Sequence, residues 1–193
     1  MKRLSLIAIN TLLLCGIALA QNAQAPKAPP TMGQVFDRSI KNVESEFVPA
    51  ADAMPEDKYS FAPTNGEFKG VRTFADEVRH VAATNWDIAG AILGEKPPVD
   101  TQGPNDSGPA NLKSKDEIMK YLKDSFAYLH KAVSTIDANN ATVAIKAPWG
   151  PGNTTRLSMA LLAFGHPFDH YGQMVEYLRM NGIIPPASRP QPK

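Results

Sequence analysis

The residues best suited to chemistry in this chain of 193 residues are three of its four histidines, His80, His166 and His170. His166 and His170 are four apart. On a helix that is slightly more than one turn, so both imidazoles leave the same side, one above the other. Stacked in that way, two ring nitrogens can reach one ion at about 2.0–2.1 Å each. A third imidazole from another segment would complete three nitrogen ligands and leave a position for water, the make-up of an open, reactive metal site. His80 is the candidate for that third ligand. A lone His–x–x–x–His pair is common on helices that bind nothing, so the pair becomes a site only with the third ring.

Spacing and composition exclude the better-known alternatives. A zincin requires Glu directly after its first histidine, and Pro167 stands there. A di-iron bundle needs two Glu–x–x–His pairs. Glu77–His80 is one, but Ala163 and Pro167 occupy the matching places before His166 and His170. Covalent haem needs Cys–x–x–Cys–His, which is absent, and no nucleophile-elbow sequence supports Ser–His–Asp hydrolysis. The fourth histidine, His130, lies beside Lys131 late in a helical pattern and reads as a surface histidine favoured by the helix dipole.

Four helical patterns can position these rings. The first runs from about Met32 to Val48, with Phe36, Ile40, Val43 and Phe47 on one stripe; Pro49 is expected to end or kink it, and any continuation to stop by Met54-Pro55. The second runs from about Thr73 to Leu93. Thr73 is a plausible cap, Asp76 and Glu77 suit the first turn, and Gly94 stops it. The third runs from about Lys115 to Asp137 behind a capping box of Ser114 and Glu117. The fourth runs from about Thr155 to Met180, ends at Asn181-Gly182, and carries Pro167 as a potential kink beside His166. Lys96 to Pro109 reads as a long surface loop and Ile145 to Asn153 as a turn-rich link. Thr142 to Lys146 alternates like a strand but has no obvious partner. Four amphipathic helices bury their stripes best against one another, so the fold class expected is all-α, a four-helix bundle.

The amino terminus has a different character. Lys2 and Arg3 precede an apolar run, Leu4 to Leu19; Ala18-Leu19-Ala20 is a small-x-small site and Ala23-Gln24-Ala25 a second, less suited to cleavage because Pro26 follows it. This is the layout of a cleaved secretory signal peptide, and the run is short for a membrane span of ~20 residues. The expected organisation is a signal over 1–20, a flexible leader over 21–31, the bundle over 32–188 and a tail over 189–193. Export makes the mature chain periplasmic or secreted. Lipoprotein anchoring is disfavoured, because bulky Leu14 precedes Cys15. Removing Lys2 and Arg3 lowers the formal charge from +1 by two, to −1, which leaves no basic field for nucleic acid. Cys15, the single cysteine, leaves as well, so any metal in the mature chain must sit on nitrogen and oxygen.

The segments around the histidines carry a family resemblance. Arg72-Thr-Phe-Ala-Asp-Glu-Val-Arg-His80-Val-Ala, followed by Asn85-Trp86, resembles the second helix of the DinB-like superfamily. His166-Pro-Phe-Asp-His170-Tyr-Gly-Gln173-Met-Val-Glu-Tyr-Leu-Arg179-Met-Asn-Gly182 resembles its fourth. The resemblance implies a four-helix bundle with a three-histidine metal site, one ligand on the second helix and two on the fourth, which here are His80, His166 and His170. Pro167 and Phe168 depart from the small or polar residues common in relatives. Gln173, three after His170, is a candidate hydrogen-bond partner for a ligand. The competing reading is that Tyr171-Gly172-Gln173 is a close-packing element. Trp86 and Phe74 read as core, Arg179 as structural and Asp87 as solvated.

The implied cofactor is one divalent metal ion. Zinc is the first expectation and nickel the second, and iron, manganese and copper are also compatible with three imidazoles. The resemblance implies a metal-dependent hydrolase or a thiol-type transferase acting on a small molecule of unknown identity. Export weighs against thiol transfer, since low-molecular-weight thiols are mainly cytosolic. The alternative is a non-catalytic metal-binding or stress-related envelope protein, whose fourth coordination position would be closed by a protein group such as Glu77 or His130. A homodimer is one assembly that such a bundle allows. No integral membrane span is expected in the mature chain.

Overall fold

Each of the four helices begins where a hydroxyl side chain takes up a backbone N–H that the first turn leaves unpaired. In the computed structural model, which describes residues 28–190, α1 spans Met32–Ala53, α2 Phe74–Leu93, α3 Lys115–Val133 and α4 Arg156–Met180. Thr31, Thr73, Ser114 and Thr155 are the caps. Thr31 and Thr73 form reciprocal boxes with Gln34 and Asp76, as Ser114 does with Glu117. The candidate signal peptide, residues 1–20, and most of the leader lie outside the described residues.

α2 packs chiefly against α3 and α4, and α1 against α4 and α3, so α1 and α2 lie diagonally across the bundle. Ile40, Val43, Phe47, Phe74, Val78, Val81, Ile88, Leu122, Phe126 and Leu129 are fully buried, as their helical spacing predicts. α2 is sheathed most completely: Glu77, His80, Thr84 and Asn85 are buried along with its apolar side chains. Among the described residues, no helix is long and apolar enough to cross a membrane.

Three expectations change. α1 is not among them: it continues through Pro49 to Ala53 and stops at the expected limit of Met54-Pro55. Proline inside a helix costs roughly 3 kcal/mol. Here Ala50, Ala51 and Met54 are fully buried beyond it, and the Tyr59 hydroxyl donates to the Ala51 carbonyl at 2.8 Å. Packing therefore carries the extra turn. α3 ends at Val133, four residues early, because the hydroxyls of Ser134 and Thr135 donate to the carbonyls of Lys131 and Ala132 at 2.7 Å each and divert the chain into turns.

The link before α4 is a small hairpin. β1, Ala144–Lys146, pairs antiparallel with β2, Asn153–Thr155, which is the partner of the alternating stretch. The Lys96–Pro109 segment is only partly a surface loop: Ser107, Gly108 and Pro109 are buried against the bundle. α4 runs unbroken through the buried Pro167.

Candidate metal centre

The capped start of α2 places His80 two turns into that helix, on the side that faces α4. There its ring meets both histidines of α4. His80 Nε2 lies 3.0 Å from His166 Nε2, and His170 Nε2 lies 3.1 Å from the same atom. The His80–His170 and His166–His170 rings stand edge to face and the His80–His166 pair is tilted, with centroids 4.5–4.9 Å apart. Two imidazoles bound to one ion at ~2.0–2.1 Å must have nitrogens within about 4.2 Å of each other. The two measured separations satisfy this. Among the described residues, the group of His, Cys, Asp and Glu ligand atoms close enough to share one ion consists of these three histidines.

The outer nitrogens explain why the inner ones converge. His170 Nδ1 donates to Glu77 Oε2 at 2.5 Å, and Glu77 is only 2% exposed. His80 Nδ1 donates to the backbone carbonyl of Asp106, with the Asp106 carboxylate 3.5 Å away. A proton fixed on Nδ1 leaves Nε2 with a free lone pair, and in both rings that lone pair faces the cluster. His166 Nδ1 is buried with no hydrogen-bond partner among the described residues.

Electrostatics agree with the neutral, ligating form. Burial, then the His170 and His80 rings, hold the His166 pKa down to about 3. Burial also lowers the His80 pKa, against the pull of the Asp106 carbonyl and with help from the Arg72 guanidinium. Three imidazoles with lone pairs directed at one point repel one another, and a shared cation relieves that repulsion. The donor set thus fits a divalent ion, and it contains no sulfur.

Other residues singled out from the sequence fall elsewhere. Gln173 is exposed on α4 and makes no hydrogen bond to the rings. The partners of the outer nitrogens are instead Glu77 and the Asp106 carbonyl. Glu77 had been visible as one half of a Glu–x–x–His pair, but its carboxylate crosses to α4 rather than serving His80 on its own helix. The Asp106 carbonyl left no signal, since any residue type carries one. His130 is no free surface ring: Nδ1 donates to Asp37 at 2.6 Å and Nε2 to Glu44 at 3.0 Å, both on α1. Neither Glu77 nor His130 therefore joins the cluster. Asp87 is half-buried and accepts from the Trp149 indole at 3.0 Å. A side chain added at Gly172 would meet nothing within 4 Å among the described residues, so none of the described helices packs there. Phe74 and Trp86 are core residues, and Arg179 donates to Ser188 at 3.2 Å.

Comparison with known proteins agrees with this architecture. The sequence model of the DinB superfamily matches residues 39–174. Among solved structures, a DinB-like protein from Bacillus cereus superposes with a TM-score of 0.59 at 16% identity, over 78% of this chain and 93% of that one. A conserved protein from Enterococcus faecalis gives 0.62 at 16% identity, over 79% and 98%. No curated protein matches the sequence.

Proposed function

The chain belongs to the DinB superfamily, and from that premise we propose that it is an exported protein that holds one divalent metal ion through His80, His166 and His170 and uses it in hydrolysis of a small-molecule substrate. The observation that carries the proposal is the convergence of three Nε2 atoms, two of them held in the ligating tautomer by Glu77 and the Asp106 carbonyl. An ion bound by three imidazoles has room for water or substrate, and it lowers the pKa of a bound water or thiol toward neutrality.

The chain's own residues have definable tasks. Glu77 restrains the His170 ring and makes it a better donor through its negative charge. The Asp106 carbonyl does the same, more weakly, for His80. Burial of His80 and His170, each 6% exposed, keeps bulk water from competing for their nitrogens. Zinc is the first choice of ion and nickel the second, with iron, manganese and copper chemically compatible. Export rests on the positive start, apolar run and Ala18-Leu19-Ala20 site of the first twenty residues, and it favours hydrolysis over thiol transfer.

A turnover screen with zinc, nickel and manganese forms on ester, amide and thiol substrates tests the catalytic half of the reading. We expect hydrolysis that disappears in His166→Ala. A protein that binds metal tightly yet turns over no substrate of any of these classes would instead be a binding protein of the envelope.

A further inference from the structure

The segment that reaches His80 is held in an unusual shape. Asn105 (φ 53°, ψ 32°) and Asp106 (φ 57°) are consecutive non-glycine residues in the left-handed region. Such a pair persists only where surrounding contacts hold it, and it tends to occur at functional sites. Two sets of contacts hold it here. Arg72 Nη2 donates to the Asn105 carbonyl at 3.3 Å and to the Asp106 carbonyl at 3.4 Å, with the Asp106 carboxylate 3.8 Å away. His80 Nδ1 donates to that same Asp106 carbonyl.

The base of the loop is equally constrained. A Cβ at Gly103 would lie 1.6 Å from the Gly108 carbonyl oxygen, so the two ends of the loop touch. Gly108, at φ +69°, sits so close to α2 that a Cβ there would lie 2.8 Å from the Arg79 carbonyl oxygen, one residue from His80. The loop is thereby pinned to α2 at its base and to Arg72 and His80 at its tip. Asn105 and Asp106 are otherwise exposed and bury nothing that would justify the strain.

We propose that Arg72 and the Asn105–Asp106 turn are positioning residues for the metal centre: Arg72 holds the turn so that the Asp106 carbonyl faces His80 Nδ1, which keeps Nε2 directed at His166. The proposal rests on the three-histidine metal reading above. The coupling is reciprocal. An ion on Nε2 requires the proton to be on Nδ1, the tautomer that donates to Asp106, so metal binding and closure of the loop reinforce each other.

The test is a zinc titration of the full mature chain and its Arg72→Gln, Arg72→Lys, Asp106→Gly, Asp106→Val and His166→Ala variants, each checked for helical content by circular dichroism. Arg72→Gln should weaken zinc binding by about 10–100-fold, the usual effect of removing support for a ligating histidine. Arg72→Lys should recover most of the loss, since one ammonium can serve both carbonyls. Asp106→Gly and Asp106→Val both delete the carboxylate. Glycine accepts the left-handed backbone and should bind zinc more tightly than valine, which resists that backbone and should bind like Arg72→Gln. The cobalt(II) spectrum of Arg72→Gln should differ from that of wild type. Zinc should also slow hydrogen exchange over residues 103–108 in wild type but not in Arg72→Gln.

If Arg72→Gln does not fold, the Asp106 pair decides alone. Wild-type zinc affinity in Arg72→Gln or in Asp106→Val, with binding abolished in His166→Ala, overturns the positioning role and leaves the metal site standing. A wild-type chain that binds neither zinc nor cobalt overturns both.

Discussion

Glu77 is the residue whose role departs most from its sequence context. It sits one turn before His80, yet its buried carboxylate meets His170 on the neighbouring helix. A carboxylate buried to that degree needs a charge or hydrogen-bond partner, and the ring N–H supplies one. Replacing Glu77 with Gln keeps the shape and removes the negative charge behind the His170 ring. We predict a loss of about 10–100-fold in zinc affinity with the helical content intact, measured by competition against a chromophoric chelator. Unchanged affinity would mean that the carboxylate only fills space. His166 contrasts with its two partners. It has no outer hydrogen bond among the described residues and is kept neutral by burial and by the adjacent rings.

At the scale of elements, α1 and α3 are joined by the fourth histidine in a wholly different environment. Asp37 and Glu44 lie seven residues apart on one face of α1, and His130 of α3 bridges them with both ring nitrogens. Both nitrogens can donate only from the imidazolium form. The Glu44 hydrogen bond raises the His130 pKa most, burial opposes it, and Asp37 adds to the rise. A folded-state pKa raised above about 6.5 contributes stability that is fully present below that pH and fades as pH climbs through the folded value. The melting-temperature gap between wild type and His130→Gln should therefore be largest near pH 6 and shrink toward pH 9. A gap that stays constant or widens with pH would rule out the bridging imidazolium. The sequence context of His130, beside Lys131 near a helix end, hides this, because the two acids lie more than eighty residues away. The same limit explains Pro49 and the end of α3. Local propensity marks a stop at Pro49, but the buried Ala50, Ala51 and Met54 outweigh it, and the contacts they make are long-range. What depends on period, caps and the His–x–x–x–His spacing was legible. The Asp106 carbonyl, the hairpin pairing and the exposed position of Gln173 were not, since backbone groups and loop paths leave little trace in residue type.

At the scale of the whole molecule, a diagonal α1/α2 arrangement makes α2 and α4 neighbours, and that adjacency turns one ring and a stacked pair into a cluster. The superfamily match and the similarity to the Bacillus cereus and Enterococcus faecalis structures concern this framework. The export reading belongs to this scale too. Mass spectrometry of chain released by secretion-competent cells should find an amino terminus at Gln21, and an uncleaved chain retained in the cytoplasm would contradict it. The central claim is that three histidines from two helices hold one ion. Elemental analysis of untagged protein, purified after expression with zinc supplied and without chelators, tests it most directly. The account predicts close to one equivalent of transition metal per chain in wild type and a background level in the His166→Ala/His170→Ala double variant. A metal-free wild type, or a double variant that retains a full equivalent, would contradict it.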